Sequence, residues 1–421
     1  MNAPEGFHAV SPHVSGWPIA EVDTLVVGAG VVGLATAYAC ARRGQRVAVV
    51  DRAEGPALAS SFANGGQLSY AYTDALGSPA LLKKLPFLAL GSDPYFRLRK
   101  RLDPGLVRWG LQFIRNCSDA RFRSNTLAVL ELALESRDAM ERLLAQHPID
   151  FAHQVPGKMH LYYDADALAG AAKGVKLKQG HDLAQRIVDA REAIAIEPAL
   201  AGAEGLAGAV YSPGDAVGDP NRFAAGLLRL LADQHDAHSF FGFELVDIAE
   251  DEDGVTVRDR RGRVVRARQI VLCAGADAPA LGRKLGLKLP ILPMKGYSFT
   301  APKGAAAPKV SITDTARKLV FCDLGGSMRV AGLAELGESD PRVDPARMAD
   351  LIGFACQSLP EAADYTAISA RWAGLRPMTP SSMPIITRPR RSIVINAGHG
   401  MLGWTLAMGA GERAAHLLET N

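Results

Sequence analysis

Thr24-Leu-Val-Val-Gly-Ala-Gly-Val-Val-Gly33 is the stretch whose reading decides the fold. An apolar run ends in glycines at 28, 30 and 33, the G-x-G-x-x-G spacing, and a helix-compatible run continues through Arg43. A second apolar run, Arg46 to Val50, closes on Asp51. Strand, glycine turn, helix and strand in that order predict a β-α-β nucleotide-binding unit. Gly28 serves the tight turn, Gly30 the close approach of backbone to a pyrophosphate, and Gly33 the close seating of helix on sheet. The first helical turn, with Val31 and Val32, offers N–H donors to an anion. Asp51, followed by Arg52, is placed to accept hydrogen bonds from an adenosine ribose. The fingerprint predicts a dinucleotide and does not choose between NAD and FAD.

Working outward, an apolar strand returns at Val264 to Leu272 and runs into Cys273-Ala274-Gly275-Ala276, a strand-to-turn at the edge of a nucleotide-binding sheet. Phe241 to Ile248 reads as a short strand and Gly254 to Val265 as a hairpin. A second strand-glycine-helix junction lies at Ile393 to Ala410, where glycine-rich backbone before a helix suits an anion or a flat ring. Between these pieces, roughly Ala71 to Val217, are long helical patterns such as Ser124 to Gln146. The fold class is therefore α/β (α+β overall): a Rossmann-like dinucleotide domain with an interleaved antiparallel-sheet substrate domain. The expected division assigns 21–75, 205–285 and 385–421 to the first, 76–204 and 286–384 to the second, and 1–20 to a flexible extension.

At 421 residues the chain is long for one compact domain, and its 48% hydrophobic and 22% charged residues are ordinary for a globular protein. A net charge of +3 is too small to point to nucleic acid. Five cysteines, Cys40, Cys117, Cys273, Cys322 and Cys356, stand far apart without metal-ligand spacing, so neither a metal nor a disulfide framework is expected. They read as small buried hydrophobes in a reducing compartment, the bacterial-type cytoplasm. The first twenty residues lack the apolar core of a signal peptide, and no stretch is apolar enough to span a bilayer.

Five motifs in this order resemble the D-amino-acid dehydrogenase branch of the glycine/D-amino-acid oxidase family of flavoproteins. They are Val26 to Gly33, Ser60-Ser-Phe-Ala-Asn-Gly-Gly-Gln-Leu-Ser69, Pro293-Met-Lys-Gly-Tyr-Ser298, Trp372-Ala-Gly-Leu-Arg-Pro-Met-Thr-Pro380 and Gly398-His-Gly-Met-Leu-Gly-Trp-Thr405. The resemblance implies FAD, a substrate lobe whose sheet covers the flavin ring, and oxidation of an amine-bearing carbon to an imine that water hydrolyses to a 2-oxo acid and ammonium. It implies electrons passed to a membrane quinone or another non-oxygen acceptor. By the same likeness Ser60 and Ser61 contact the flavin side, and Asn64, Gly65, Gly66, Gln67 and Leu68 run beneath the ring. The backbone of Val246 meets the adenine, Ala274 and Gly275 lie near ribose and pyrophosphate, and Gly398, Gly400, Leu402, Gly403, Trp404 and Thr405 hold the pyrimidine end.

Hydride transfer to a flavin needs orientation and a water-poor site more than an acid or base. A guanidinium gripping both oxygens of an amino-acid carboxylate gives register that an ammonium does not. Arg376 is the candidate for that grip, with Arg371 a weaker second cation. Tyr297 is a candidate hydroxyl donor to the carboxylate or amine, its bland alternative a core tyrosine with a capped hydroxyl. His399 stands between two glycines either as a site residue or as a backbone hydrogen-bonding device, and Tyr70 and Tyr72 either line the cavity or pack. The amine must be neutral for its lone pair to stabilise the forming imine, so activity is expected to rise with pH. Relatives commonly carry Asp-Gly where this chain has Ser381-Ser382, which leaves the side-chain preference open. Oxidation of glycine, sarcosine or a cyclic imino acid such as a D-proline derivative stays open beside D-amino acids, as does a non-catalytic flavin-binding electron-transfer subunit.

Between Lys83 and Arg123 the chain gathers Lys83, Lys84, Arg97, Arg99, Lys100, Arg101, Arg108, Arg115, Arg121 and Arg123, interleaved with apolar residues. This composition suits peripheral contact with an anionic membrane on the cytoplasmic face, or a solvated helical face over the substrate lobe.

Overall fold

The computed structural model describes residues 18–89, 91–99, 103–181 and 183–419. The expected extension lies outside them up to residue 17, as do Lys100 and Arg101 of the basic insert. Two large sheets organise the chain, one of eight strands and one of nine.

The eight-stranded sheet grows from the glycine fingerprint. The strand Ala20–Val27 pairs in parallel with Val47–Val50 on one side and Val264–Leu272 on the other. The parallel run continues to His238–Phe240 and Ile393–Ala397, so distant stretches of chain lie side by side. Gly254–Asp259 pairs antiparallel with the start of Val264–Leu272, the hairpin anticipated at 254–265, and Leu245–Asp251 pairs antiparallel on its other side. Helix Val31–Ala41 is buried over almost its whole length and packs with Pro220–His235 and Gly403–Glu419 in one core.

The nine-stranded sheet runs in the order Ala370–Met378, Leu292–Ala301, Met328–Leu336, Leu319–Asp323, Ser311–Asp314, Lys158–Tyr162, Gly208–Ser212, Arg186–Asp189, with Phe96–Leu98 beside Met328–Leu336. It is antiparallel as anticipated except where Lys158–Tyr162 meets Ser311–Asp314 and where Phe96–Leu98 meets Met328–Leu336.

Two parts of the expected division differ. Strand Gly208–Ser212 pairs in the nine-stranded sheet, so a boundary at 205 falls too early. Helix Asp119–Gln146, placed with 76–204, instead sends Ala139, Met140 and Leu143 into the core around Val31–Ala41 and packs on Gly403–Glu419. Its apolar stripe is covered by helices from the other lobe, which no local pattern reveals. Four of the cysteines are buried as expected, but Cys356 is exposed. Among the described residues no helix is long and apolar enough to cross a membrane.

Candidate functional site

A cavity of about 1830 Å³ lies between the two sheets. Pockets for one small ligand are roughly 300–1,000 Å³, so this one has room for a dinucleotide and a second molecule. Its floor includes Val27, Val50, Cys273 and Ala397, at or just beyond the carboxyl ends of four parallel strands. That is where open α/β sheets bind nucleotides.

Two of the fingerprint glycines, Gly28 and Gly33, are sterically required. Gly28 has φ +111°, and a Cβ there would lie 2.6 Å from the Cys273 carbonyl oxygen. A Cβ on Gly33 would lie 1.8 Å from the Gly28 oxygen. Gly33 therefore packs helix on sheet and does not line the cavity, whereas Gly28, Gly30, Val31 and Val32 do. The helix that begins at Val31 has neither a side-chain cap nor an acidic residue in its first turn, leaving its positive end to an anion. Ser61 Oγ accepts from the Val31 N–H at 3.3 Å on the cavity side. Asp51 accepts from the Ala29 and Ala53 N–H groups at 2.6 and 2.8 Å, which fixes its carboxylate at the cavity rim. Arg52 also lines the cavity and pairs with Asp277 at 2.8 Å, beside Ala274 and Gly275. These residues fit FAD: an uncapped helix end over closely packed glycines for the pyrophosphate, an anchored acid for the ribose, and space for a ring beyond.

Val246 is a correction. It sits where the register shifts between Leu245 and Asp247, and its carbonyl accepts from Lys284 Nζ at 2.7 Å. The wall at that end is made by Phe243, Glu244 and Leu245 instead.

The Ser60–Ser69 loop crosses the face of the nine-stranded sheet. Asn64 Oδ1 accepts from the Gly66 N–H at 2.8 Å, an Asx turn. Gln67 Nε2 donates to Ser311 Oγ at 2.7 Å, Ser60 Oγ to the Leu375 carbonyl at 2.5 Å, and the Ser69 N–H to Thr405 Oγ1 at 2.9 Å. One loop is thus tied to both lobes and to the carboxy-terminal glycine segment. Ser60, Asn64, Gly65, Gly66, Gln67, Gly400, Leu402, Gly403, Trp404 and Thr405 line the cavity. Leu68 and Gly398 do not: Leu68 is core, and Gly398 is a turn at φ +81° with Thr379 packed against it. Ser382, where relatives were expected to carry glycine, has φ +65°, and its hydroxyl accepts from the Leu76 N–H at 2.9 Å.

Strand alternation decides the substrate-side residues. Arg376 is the cross-strand partner of Met294, Gly374 of Gly296 and Trp372 of Ser298, so these six share one face, and all line the cavity. On that face Trp372 lies over Gly374 and the Arg376 guanidinium lies over Gly296, where a Cβ would be 2.3 Å from Nη2. Arg376 donates from Nη1 to the Leu333 carbonyl at 3.0 Å and has no acidic partner among the described residues. Burial alone lowers its pKa to about 10, leaving it charged at neutral pH. Arg371 lines the cavity too, but is exposed.

Tyr297 is the second correction. Three positions from Met294, it projects to the opposite face and is 1% exposed in the core with Phe299 and Ala373. Its hydroxyl donates to Glu335 Oε2 at 3.2 Å, and Glu335 pairs with Arg347 at 3.1 Å. Burial, then that carboxylate, raises its pKa. It borders the cavity but is a core tyrosine with a capped hydroxyl, not a donor beside Arg376. His399 lines the cavity, buried, with Nε2 lacking a hydrogen-bond partner and its pKa lowered by burial to about 3, so the imidazole is neutral.

A buried polar cluster that no motif marks lies five strands along the same sheet from Arg376. Lys158 Nζ donates to Ser69 Oγ at 2.6 Å, and His160 stacks on Tyr72 with centroids 3.6 Å apart and neither ring nitrogen bonded. Lys178 donates to Asp74 Oδ1 and the Ala71 carbonyl, both at 2.9 Å, and Asp215 accepts from the Ala71 N–H. Burial lowers Lys158 to about 8 against the pull of Asp215, and raises Asp215 to about 6 against that of Lys158. Lys158, His160, Tyr72 and Ser69 line the cavity, while Tyr70 packs in the core. The signal was the alternation Lys158-Met-His-Leu-Tyr162, which sets lysine and histidine on one face of a strand.

Comparison with known proteins agrees with this architecture. The model of a family described as FAD dependent oxidoreductase (DAO) matches residues 23–417. A D-amino acid dehydrogenase of Paramagnetospirillum magneticum is 39% identical over 402 residues, covering 94% of this chain and 95% of its own. D-amino acid dehydrogenase 2 of Ralstonia nicotianae is 39% identical over 413 residues, covering 93% and 95%. Among solved structures, glycine oxidase from Geobacillus kaustophilus superposes with a TM-score of 0.75 at 24% identity, covering 95% of each chain. L-proline dehydrogenase from P. horikoshii gives 0.74 at 16%, covering 96% and 94%. At those identities the likeness is one of fold.

Proposed function

The chain belongs to the DAO family of FAD-dependent oxidoreductases, and from that premise we propose that it oxidises D-amino acids to 2-oxo acids and ammonium, passing the electrons to a quinone or another non-oxygen acceptor. The observation that carries the reading is Arg376: a half-buried guanidinium without an acidic partner among the described residues, on the sheet face that walls the dinucleotide cavity. The names of the similar dehydrogenases supply the substrate class.

In this reading Arg376 holds the substrate carboxylate through paired charge-assisted hydrogen bonds, which fixes the Cα–H direction. Gly296 and Gly374 leave the sheet surface bare so that the guanidinium and the Trp372 indole lie along it. Met294 and Trp372 narrow the space and exclude water. FAD, when bound, supplies the two-electron acceptor for the hydrogen at Cα; Gly28, Gly30, Val31, Ser61 and Asp51 would hold its diphosphate and ribose, and the Ser60–Ser69 and Gly400–Thr405 segments its ring. The substrate ammonium first gives a proton to solvent, because a lone pair is required to stabilise the imine. His399, already neutral, neither supplies nor stores that proton. Water then adds to the imine carbon and ammonium leaves, so that amino acid, quinone and water become 2-oxo acid, ammonium and quinol.

The test is anaerobic bleaching of the visible flavin spectrum by D-amino acids, their L-enantiomers, glycine and D-proline derivatives. Rapid bleaching by D-amino acids alone is expected. A yellow protein that no D-amino acid bleaches overturns the reading, and bleaching by D-proline derivatives alone moves it to cyclic imino acids. We further place the protein in the cytoplasm, in peripheral contact with the inner membrane.

A further inference from the structure

Helix Pro104–Asn116 carries two apolar stripes where a surface helix needs one. Leu106, Trp109 and Phe113, at i, i+3, i+7, face inward and are buried, while Val107, Leu111 and Ile114, at i, i+4, i+7, face outward at 53%, 57% and 47% exposure. The neighbouring helix Pro79–Ala89 repeats the arrangement: Leu81 and Leu85 pack inward with Trp109 and Phe113, whereas Leu82 and Phe87 are exposed at 40% and 54%. Nothing in the core accounts for the outer stripes. Beside them stand Lys83, Lys84, Arg108 and Arg115, all exposed and without an acidic partner among the described residues. Contiguous apolar surface rimmed by unpaired cations matches an anionic bilayer and is a poor match for water.

The same two helices wall the cavity. Leu81, Leu85, Trp109 and Phe113 line an apolar limb that ends on Met294 and Met378, on either side of Arg376 in the paired strands. Val107 and Ile114 both line this limb and remain half exposed, which marks its mouth on the outer apolar surface. We propose that these stripes seat the protein on an anionic bilayer, and that the gap between the helices is the door by which a lipophilic electron acceptor passes from the lipid into the cavity. The inference rests on the functional reading above for the existence of such an acceptor; what it adds is the face and the entrance. In the second half-reaction the quinone gains two electrons and two protons and leaves as quinol, the electrons being those the amino acid has lost. An amino acid is polar and water-borne, so it has no reason to use this door.

The experiment uses the FAD-loaded full chain and vesicles of mixed phosphatidylglycerol and phosphatidylcholine, with or without an embedded long-chain quinone. The paired variants Phe87→Glu with Leu111→Glu, and Arg108→Glu with Arg115→Glu, alter only outward side chains that do not line the cavity. Sedimentation of the unaltered protein with the vesicles at low salt is expected, with at least tenfold weaker binding for both pairs. Reoxidation by the embedded quinone should slow at least tenfold in both, while bleaching by amino acid and reoxidation by a water-soluble dye stay within twofold. Failure of the unaltered protein to bind the vesicles overturns the proposal, as does unchanged reoxidation by embedded quinone in the variants. Loss of amino-acid bleaching in the unaltered protein would instead strike the functional reading, so the two failures are distinct.

Discussion

A single methyl group placed behind Arg376 tests the claim that this guanidinium orients the substrate. In Gly296→Ala the new Cβ would stand 2.3, 2.4 and 2.7 Å from Nη2, Cζ and Nη1. Ordinary contact begins at 3.4 Å, so the guanidinium must retreat by about 1 Å, breaking its 3.0 Å bond to the Leu333 carbonyl. Misplacing a positioning group by about 1 Å costs on the order of 10²-fold in rate, about 2.7 kcal/mol. The fold has little reason to suffer: Gly296 is not among the residues at positive φ, and the clash is with the tip of a flexible side chain. Arg376→Met sets the ceiling, since two charge-assisted bonds of roughly 1.5–3 kcal/mol each correspond to about 10²–10⁴-fold. Anaerobic stopped-flow bleaching over a range of D-amino acid concentrations separates Kd from the limiting rate, and flavin content with Tm reports the fold. Gly296→Ala should raise Kd, lower the limiting rate, and keep its flavin. A variant with full flavin and unchanged Kd and rate would refute the placement of the carboxylate on Arg376.

Tyr297→Phe should keep turnover within about threefold and lose about 1 kcal/mol of stability in denaturant unfolding, because it removes only the hydrogen bond to Glu335. Gly33→Ala should purify largely without flavin, since its Cβ would lie 1.8 Å from the Gly28 oxygen and the helix must lift from the sheet; the ratio of visible to ultraviolet absorbance reads this directly. The bleaching rate should rise with pH as the substrate ammonium deprotonates, and His399→Asn should leave that inflection in place, because the imidazole titrates only at about 3. Lys158, lowered to about 8 from 10.5, binds its proton less tightly folded than unfolded, so its contribution to stability rises with pH across that window. Lys158→Met should remove that rise from the Tm–pH profile; an unchanged alkaline limb would mean that its ammonium is not desolvated.

What was legible in the sequence followed from local rules. Gly28 and Gly33 announce a turn and a packing distance, and the structure meets both through contacts that admit no side chain. The strand-glycine junction at Ala397 was legible for the same reason, and its parallel pairing beside Val264–Leu272 is the consequence. Parity across strands was not legible. Met294 and Tyr297 stand in one motif, yet only the register with Ala370–Met378 shows that Met294 shares the Arg376 face and Tyr297 does not. Helix Asp119–Gln146 hid its partner similarly, since an apolar stripe reports that something covers it and not which lobe supplies the cover.

The same register separates the two charged ends of the cavity. Arg376 and Lys158 lie on strands five steps apart in the nine-stranded sheet, and at about 4.8 Å per step this is roughly 24 Å along the sheet. No single amino acid reaches from one to the other, so in the proposed reading of Arg376 the substrate stays at that end, clear of Lys158. The Lys158 end is tied instead through Ser69 to Thr405, at the start of the helix that closes the chain. Between them runs the Asn64–Gln67 loop, held to the sheet by Arg329 at the Asn64 carbonyl and by Gln67 at Ser311. A flat ring on that loop would have a carboxylate grip at one end and a buried ammonium with a neutral imidazole at the other. Changes at Lys158 should therefore act on flavin retention before they act on substrate Kd, the reverse of the order expected for Gly296.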